Sequence, residues 1–122
     1  MTEAKKHHLV SKHSQVANWN EIPIETLANG AARQLFIGEN LMMCRFVFPP
    51  NLETTAHEHH HEQMTMVKRG KVRFIIGEDE IIAEAGDVLR FPSHCWHGAT
   101  MLDEEVELID IFSPIREDFL TK

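Results

Sequence analysis

Ala56-His57-Glu58-His59-His60-His61-Glu62-Gln63 places four histidines within five positions and closes them with an acid and an amide. In an extended strand side chains alternate between faces, so His57, His59, His61 and Gln63 point one way and Glu58, His60 and Glu62 the other. One face is thereby rich in metal-ligand atoms. Imidazole nitrogens suit zinc, nickel, copper and iron, and an amide oxygen completes a shell without adding charge. His-rich stretches also occur on solvated turns. A further histidine, His97, in a second patterned segment argues for the metal.

The flanking sequence sets this stretch among short strands. Upstream, Pro49-Pro50 removes two backbone donors and fixes φ, which stops a strand read over Leu41 to Phe48. That strand forms a hairpin with Gln34 to Ile37 across the turn Gly38-Glu39-Asn40. Trp19 to Ile24 contains Pro23 and suits an edge or crossing segment, and Asn29-Gly30 is a turn signal. Downstream, the His strand continues through Met64 to Val67 and turns at Arg69-Gly70. Val72 to Ile76 and Ile81 to Glu84 make a hairpin across Gly77 to Glu80. Val88 to Phe91 is a short strand ended by Pro92, and Val106 to Phe112 is a strong last strand. No stretch before Ser113 sustains a helical period. Ser113 to Leu120 suits one short helical turn, with Ser113 as N-cap and Pro114 in the first position. Many short strands with Gly and Pro turns argue an all-β sandwich or barrel, and a jelly roll fits best. Trp19, Trp96, Phe36, Phe46, Phe48, Phe74 and Phe91 read as core. Trp96, beside His97, is also a candidate wall of a substrate pocket.

The chain has 122 residues, enough for one core. A single domain is expected over 16–122, preceded by a mobile arm over 1–15 that lacks periodicity. Apolar residues make up 43% and charged ones 25%, which supports a folded globule. A formal charge of −7 argues against a nucleic-acid partner, which needs a basic stripe to release counterions. A small anion remains admissible where a metal or a local cation receives it. Met1 to Lys12 carries no apolar leader and no run reaches membrane-spanning length. Cys44 and Cys95 read as reduced thiols. A cytoplasmic protein without a membrane partner is expected. Jelly-roll edge strands need cover, so a homodimer is expected too.

These residues resemble a single-domain cupin. The first cupin motif has two histidines one residue apart, an acidic or amide ligand three or four residues on, and a glycine after six more; His57, His59, Gln63 and Gly70 match it. The second has a glycine, a proline after five residues and a histidine shortly afterwards, matched by Gly86, Pro92 and His97. The resemblance spans about residues 32 to 112. Asn51 stands where the first motif begins with glycine, Gln63 replaces the commoner glutamate, His94 replaces a glycine and Met101 an asparagine. The resemblance implies a cupin-type jelly-roll β-barrel holding one divalent transition metal: nickel, zinc, iron, manganese or copper. Its ligands would be His57, His59, Gln63 and His97, with His61 of matching parity as an alternative. His94 would crowd the entrance or add a polar contact. Three imidazoles and one amide leave positions open, the pattern of a working metal site.

The tail from Asp110 to Leu120 resembles that of the KdgF-type cupins, the pectin-degradation proteins. The resemblance implies ring opening and ketonisation of 4,5-unsaturated monouronates from pectin or alginate, with Asp110, Phe112 and Arg116 at functional positions. From the strand alone, Val106, Leu108, Asp110 and Phe112 share one face. If that face is inward, Asp110 is an acid among apolar neighbours and a candidate acid/base; it reads equally as a strand-end acceptor. Arg116 either forks onto a substrate carboxylate or pairs with Glu117 or Asp118. Phe112 is core or a sugar platform. Two rivals share the shell: a mononuclear-metal dioxygenase of a small molecule, and a non-catalytic sugar- or metal-binding module.

Overall fold

Two consecutive prolines after Phe48 decide the path of the chain. They end β5 (Met42–Phe48), and the next segment leaves that sheet. Residues 51–57 instead run beside β10 (His97–Met101): Asn51 N–H donates to Leu102 O, Thr54 N–H to Ala99 O, and Met101 N–H to Leu52 O, each at 2.8 Å. The chain then bends at His60-His61 and enters β6 (Glu62–Arg69). The computed structural model describes residues 9–11 and 14–120.

Two antiparallel sheets result. The larger runs β3 (Glu25–Thr26), β4 (Ala32–Ile37), β5, β11 (Val106–Ser113), β6 and β9 (Val88–Phe91). The smaller runs β10, β7 (Lys71–Ile76) and β8 (Asp79–Glu84). Side chains from both form one core, including Met42, Cys44, Phe46, Phe48, Val67, Val72, Phe74, Phe91, Met101 and Phe112. Burial alternates along β5, with Met42, Cys44, Phe46 and Phe48 inward, as a half-buried strand requires. Phe91 and Phe112 are fully enclosed, so truncating either to alanine costs about 3–5 kcal/mol. This is the expected all-β jelly-roll architecture.

The hairpins β4–β5 and β7–β8 form as read from the sequence. β10 was not anticipated as a strand, because His97-Gly98-Ala99-Thr100 lacks apolar alternation and takes its conformation from pairing with β7. At Gly70 the chain crosses between sheets. Its φ is +87°, and a Cβ there would meet Glu105 O at 2.6 Å, so only glycine fits without displacement.

Three expectations need correction. The continuous strand over 57–63 is absent: His57 makes an isolated bridge to His97 and the strand starts at Glu62. Trp96 is not core, being 50% exposed, and Trp19 and Phe36 are only partly buried. The C-terminal turn is a short 3-10 segment, Glu117–Phe119, and Ser113 does not cap it; the Ser113 hydroxyl donates to Asn40 O at 3.0 Å. Of the arm expected over 1–15, most lies outside the described residues. Its described part pairs β1 (Leu9–Ser11) antiparallel with β2 (Ser14–Gln15). Cys44 and Cys95 are free thiols, as expected. Among the described residues no helix is long and apolar enough to cross a membrane.

Candidate metal centre and acid/base pocket

Crossing to the smaller sheet brings His57 against His97, and the bend at His60-His61 turns His59 back toward them. One ring nitrogen from each of His57, His59 and His97 lies within 4.8 Å of the others. In every case Nδ1 faces a backbone carbonyl: Thr55 O at 3.0 Å for His57, His61 O at 3.0 Å for His59, and Cys95 O at 2.8 Å for His97. A carbonyl only accepts, so Nδ1 carries the hydrogen and each neutral ring leaves a lone pair on Nε2. Tying one nitrogen to the backbone is how metal-binding imidazoles are usually oriented.

Gln63, the second residue of β6, is buried and sets its Oε1 3.2 Å from His59 Nε2. Two lone-pair atoms face one another there, an arrangement that a cation relieves. Burial, and then the neighbouring Arg116, lower the His59 pKa to about 4. Burial lowers His97 as well. At a pKa of about 4 the His59 ring stays neutral at physiological pH, as metal ligation requires. The donor set fits a divalent transition metal.

His61, carried as an alternative ligand, turns elsewhere. It is buried, and its Nε2 reaches Ile115 O at 3.2 Å. His60 is exposed. His94 is exposed with φ at +63°, and its backbone N–H donates to His59 O at 2.7 Å, so it steadies the His59 loop.

Beyond the histidines, β11 carries Asp110 and Phe112 inward, as its alternation implied. Asp110 is buried and accepts from Thr65 Oγ1 at 2.6 Å; Thr65 in turn accepts from Gln63 Nε2 at 2.9 Å. Burial raises the Asp110 carboxyl from its ordinary 3.8 to about 7, against the opposing pull of the Thr65 bond and Arg116. Thr65 was missed by the sequence reading, although a threonine at the inward parity of β6 between Gln63 and Val67 was a usable signal. Cys44 is enclosed by the core, and its thiol is pushed well up by burial, which removes it as a nucleophile.

Arg116 is buried, and its guanidinium lies 4.2 Å from the Phe119 ring centre and 5.0 Å from that of Phe112. Nε and Nη2 hold Asp118 at 2.9 and 2.7 Å. Of the two readings of Arg116, pairing with Asp118 is therefore realised on one edge of the guanidinium. Phe119 was also missed, because its partners come from a strand and a turn that only the fold brings together.

An inner cavity of about 190 Å³ is lined by His57, Gln63, His97, Asp110, Phe112 and Arg116, among others. An outer cavity of about 690 Å³ is lined by His57 to His61 and Pro114 to Asp118, and Glu39 and Asn40 complete it. His57 and Arg116 border both. The inner space is below the roughly 300–1,000 Å³ of pockets for drug-sized ligands and suits a small molecule. Trp96, the candidate wall, lines neither cavity.

Comparison with known proteins agrees with this geometry. Residues 44–112 match the cupin domain family. The pectin degradation protein KdgF of Dickeya dadantii is 34% identical over 103 residues, spanning 83% of this chain and 94% of that protein. An RmlC-like cupin from Shewanella frigidimarina superposes with a TM-score of 0.80 at 32% identity, covering 84% of this chain and 93% of its own. KdgF from a Halomonas species superposes with a TM-score of 0.79 at 27% identity, covering 84% and 96%. With the matched domain, the convergent histidines and this similarity over most of its length, the chain belongs to the cupin family and is KdgF-like within it.

Proposed function

We propose that this chain is a metal-dependent enzyme that opens and ketonises 4,5-unsaturated monouronates of the kind released from pectin or alginate. The observation that carries the reading is the joining of the three-histidine group to the buried Asp110 through Gln63 and Thr65, beside a small cavity that His57, His97, Gln63 and Asp110 line. Similarity to KdgF of Dickeya dadantii, named for pectin degradation, supports the substrate class.

His57, His59, Gln63 and His97 would hold one divalent metal, which when bound supplies Lewis-acid binding of substrate oxygens. The reaction needs only proton movement besides. The hydroxyl at C1 loses its proton as the bond from C1 to the ring oxygen breaks, the bonding pair staying on that oxygen, which gives an aldehyde and an enolate at C5. The enolate becomes a ketone as C4 takes up a proton, so one proton lost and one gained balance. A carboxyl whose pKa is about 7 is suited to both taking and returning a proton. Asp110 fills that role. Arg116 binds the substrate carboxylate with the guanidinium edge that Asp118 does not occupy, and Phe112 supports the ring.

Residues 16–122 act as one domain in this reading, and the chain works as a homodimer. Exposed Met64, Met66 and Val88 on the outer face of the larger sheet support the latter. Light scattering tests the assembly. The function is tested by metal analysis of the purified protein together with an assay on unsaturated galacturonate and on the unsaturated product of alginate. Stoichiometric metal with conversion of either substrate is expected. Turnover that requires iron and O₂ would identify the protein as a dioxygenase, and binding without turnover would identify a non-catalytic module.

A further inference from the structure

A side-chain amide offers an oxygen on one side and an NH₂ group on the other, and the two differ completely as metal donors. At Gln63 the oxygen faces the histidine group and the NH₂ group faces Thr65. Local chemistry enforces this choice. The Thr65 hydroxyl has a single hydrogen, and it is donated to Asp110 Oδ1 at 2.6 Å. Thr65 can then only accept from Gln63, so the amide must present nitrogen to it, at 2.9 Å, and oxygen to His59. Thr65 is 2% exposed, so its hydroxyl is held among these partners. Valine has nearly the same shape but no hydroxyl. It would take from the Gln63 NH₂ group its Thr65 acceptor, leaving only Asp110 to hold the amide, and would also remove the Thr65 hydrogen bond to Asp110.

We propose that Thr65 is a positioning residue that sets which atom Gln63 offers to the metal centre and holds Asp110 in register with it. The inference rests on the metal reading of the histidine group. It also gives Gln63 a role that the commoner glutamate would not need, since a carboxylate presents an oxygen whichever way it turns.

The test uses the full chain, with Ni²⁺ and Zn²⁺ as probes in competition against a chromophoric chelator. Thr65→Val should weaken metal binding by about 10–100-fold, the usual effect of losing a group that orients a ligand. Thr65→Ser keeps the hydroxyl and should restore binding to within about threefold of wild type on the same scale. The decisive comparison is made in a Gln63→Glu background. There the same Thr65→Val change should cost no more than about threefold, because orientation no longer matters. If Thr65→Val does not fold, Thr65→Ala enters the same comparison.

Equal metal affinity in wild type and Thr65→Val overturns the inference while the metal reading stands. An equal loss in the wild-type and Gln63→Glu backgrounds overturns it too, since the hydroxyl would then matter only for packing. Absence of metal binding by wild type overturns both.

Discussion

His57 and His97 exchange both backbone hydrogen bonds, each 2.9 Å, as an isolated antiparallel pair. The backbone thus places two of the three clustered imidazoles without help from a metal. The large apolar core shared by the two sheets makes the fold independent of the metal as well.

Replacing His59 or His97 with alanine should therefore strip the metal and leave the fold intact. Elemental analysis alongside far-UV circular dichroism checks this. Full metal occupancy in both variants would remove them from the ligand set, and joint loss of metal and fold would mark a structural site instead.

Asp110 makes two separable predictions. Asp110→Asn should keep the metal and lower turnover of an unsaturated uronate by about 10²–10⁴-fold, the usual contribution of a positioned acid/base. The second concerns stability in the metal-free protein. With a folded pKa of about 7 against an ordinary 3.8, the native carboxyl keeps its proton where the unfolded one has released it. Its stabilising contribution is thus complete below about pH 3.8 and is lost as the pH rises through about 7. Asp110→Asn should gain melting temperature relative to wild type as the pH is raised from about 4 to about 8. The lowered histidines act in the opposite sense, but they are present in both proteins and cancel in the difference. A constant difference across the range would contradict the buried-acid assignment.

Arg116→Lys keeps the charge but not the planar fork that grips Asp118 or the stacking on Phe119. KM for the uronate should rise about 10–100-fold, corresponding to one charged hydrogen bond of roughly 1.5–3 kcal/mol, while kcat and metal content change little. Steady-state kinetics distinguishes this from Asp110→Asn. A fall in kcat with unchanged KM would place Arg116 in the chemical step.

Gly70→Ala should destabilise the protein by at least about 1–3 kcal/mol from the left-handed backbone alone. Contact of the new Cβ with Glu105 O at 2.6 Å and Val106 Cγ2 at 2.8 Å adds to that. Gly77, whose Cβ would meet nothing within 4 Å, is the control: Gly77→Ala should cost less. Urea denaturation of the two variants side by side measures the contrast, and equal losses would show that the sheet crossing tolerates a side chain.

The sequence by itself determined the strands whose causes are local. Alternation in Met42 to Phe48, the stop at Pro49-Pro50 and the glycine turns act over a few residues, and they were legible before any fold was known. It also determined which residue types cluster, since the two motifs are written in order along the chain. Inward parity on β11 was legible for the same reason, and Asp110 and Phe112 lie where it put them. Tertiary structure alone decided what each of these meets. Parity over 57–63 assumed one strand, yet His57 bonds to His97 of the other sheet and His59 to His94 in the loop before it. His61 shares their parity and bonds to Ile115 O instead. Trp96 has the composition of a core residue and is exposed, because pairing at His97 leaves its side chain outside. The packing of Phe119 against Phe46 and Arg33, and the hydrogen bond from Thr65 to Asp110, join residues distant in sequence. A local pattern specifies which way a side chain points, whereas its partner depends on which strand the sheets place opposite, and that is settled by burial over the whole core.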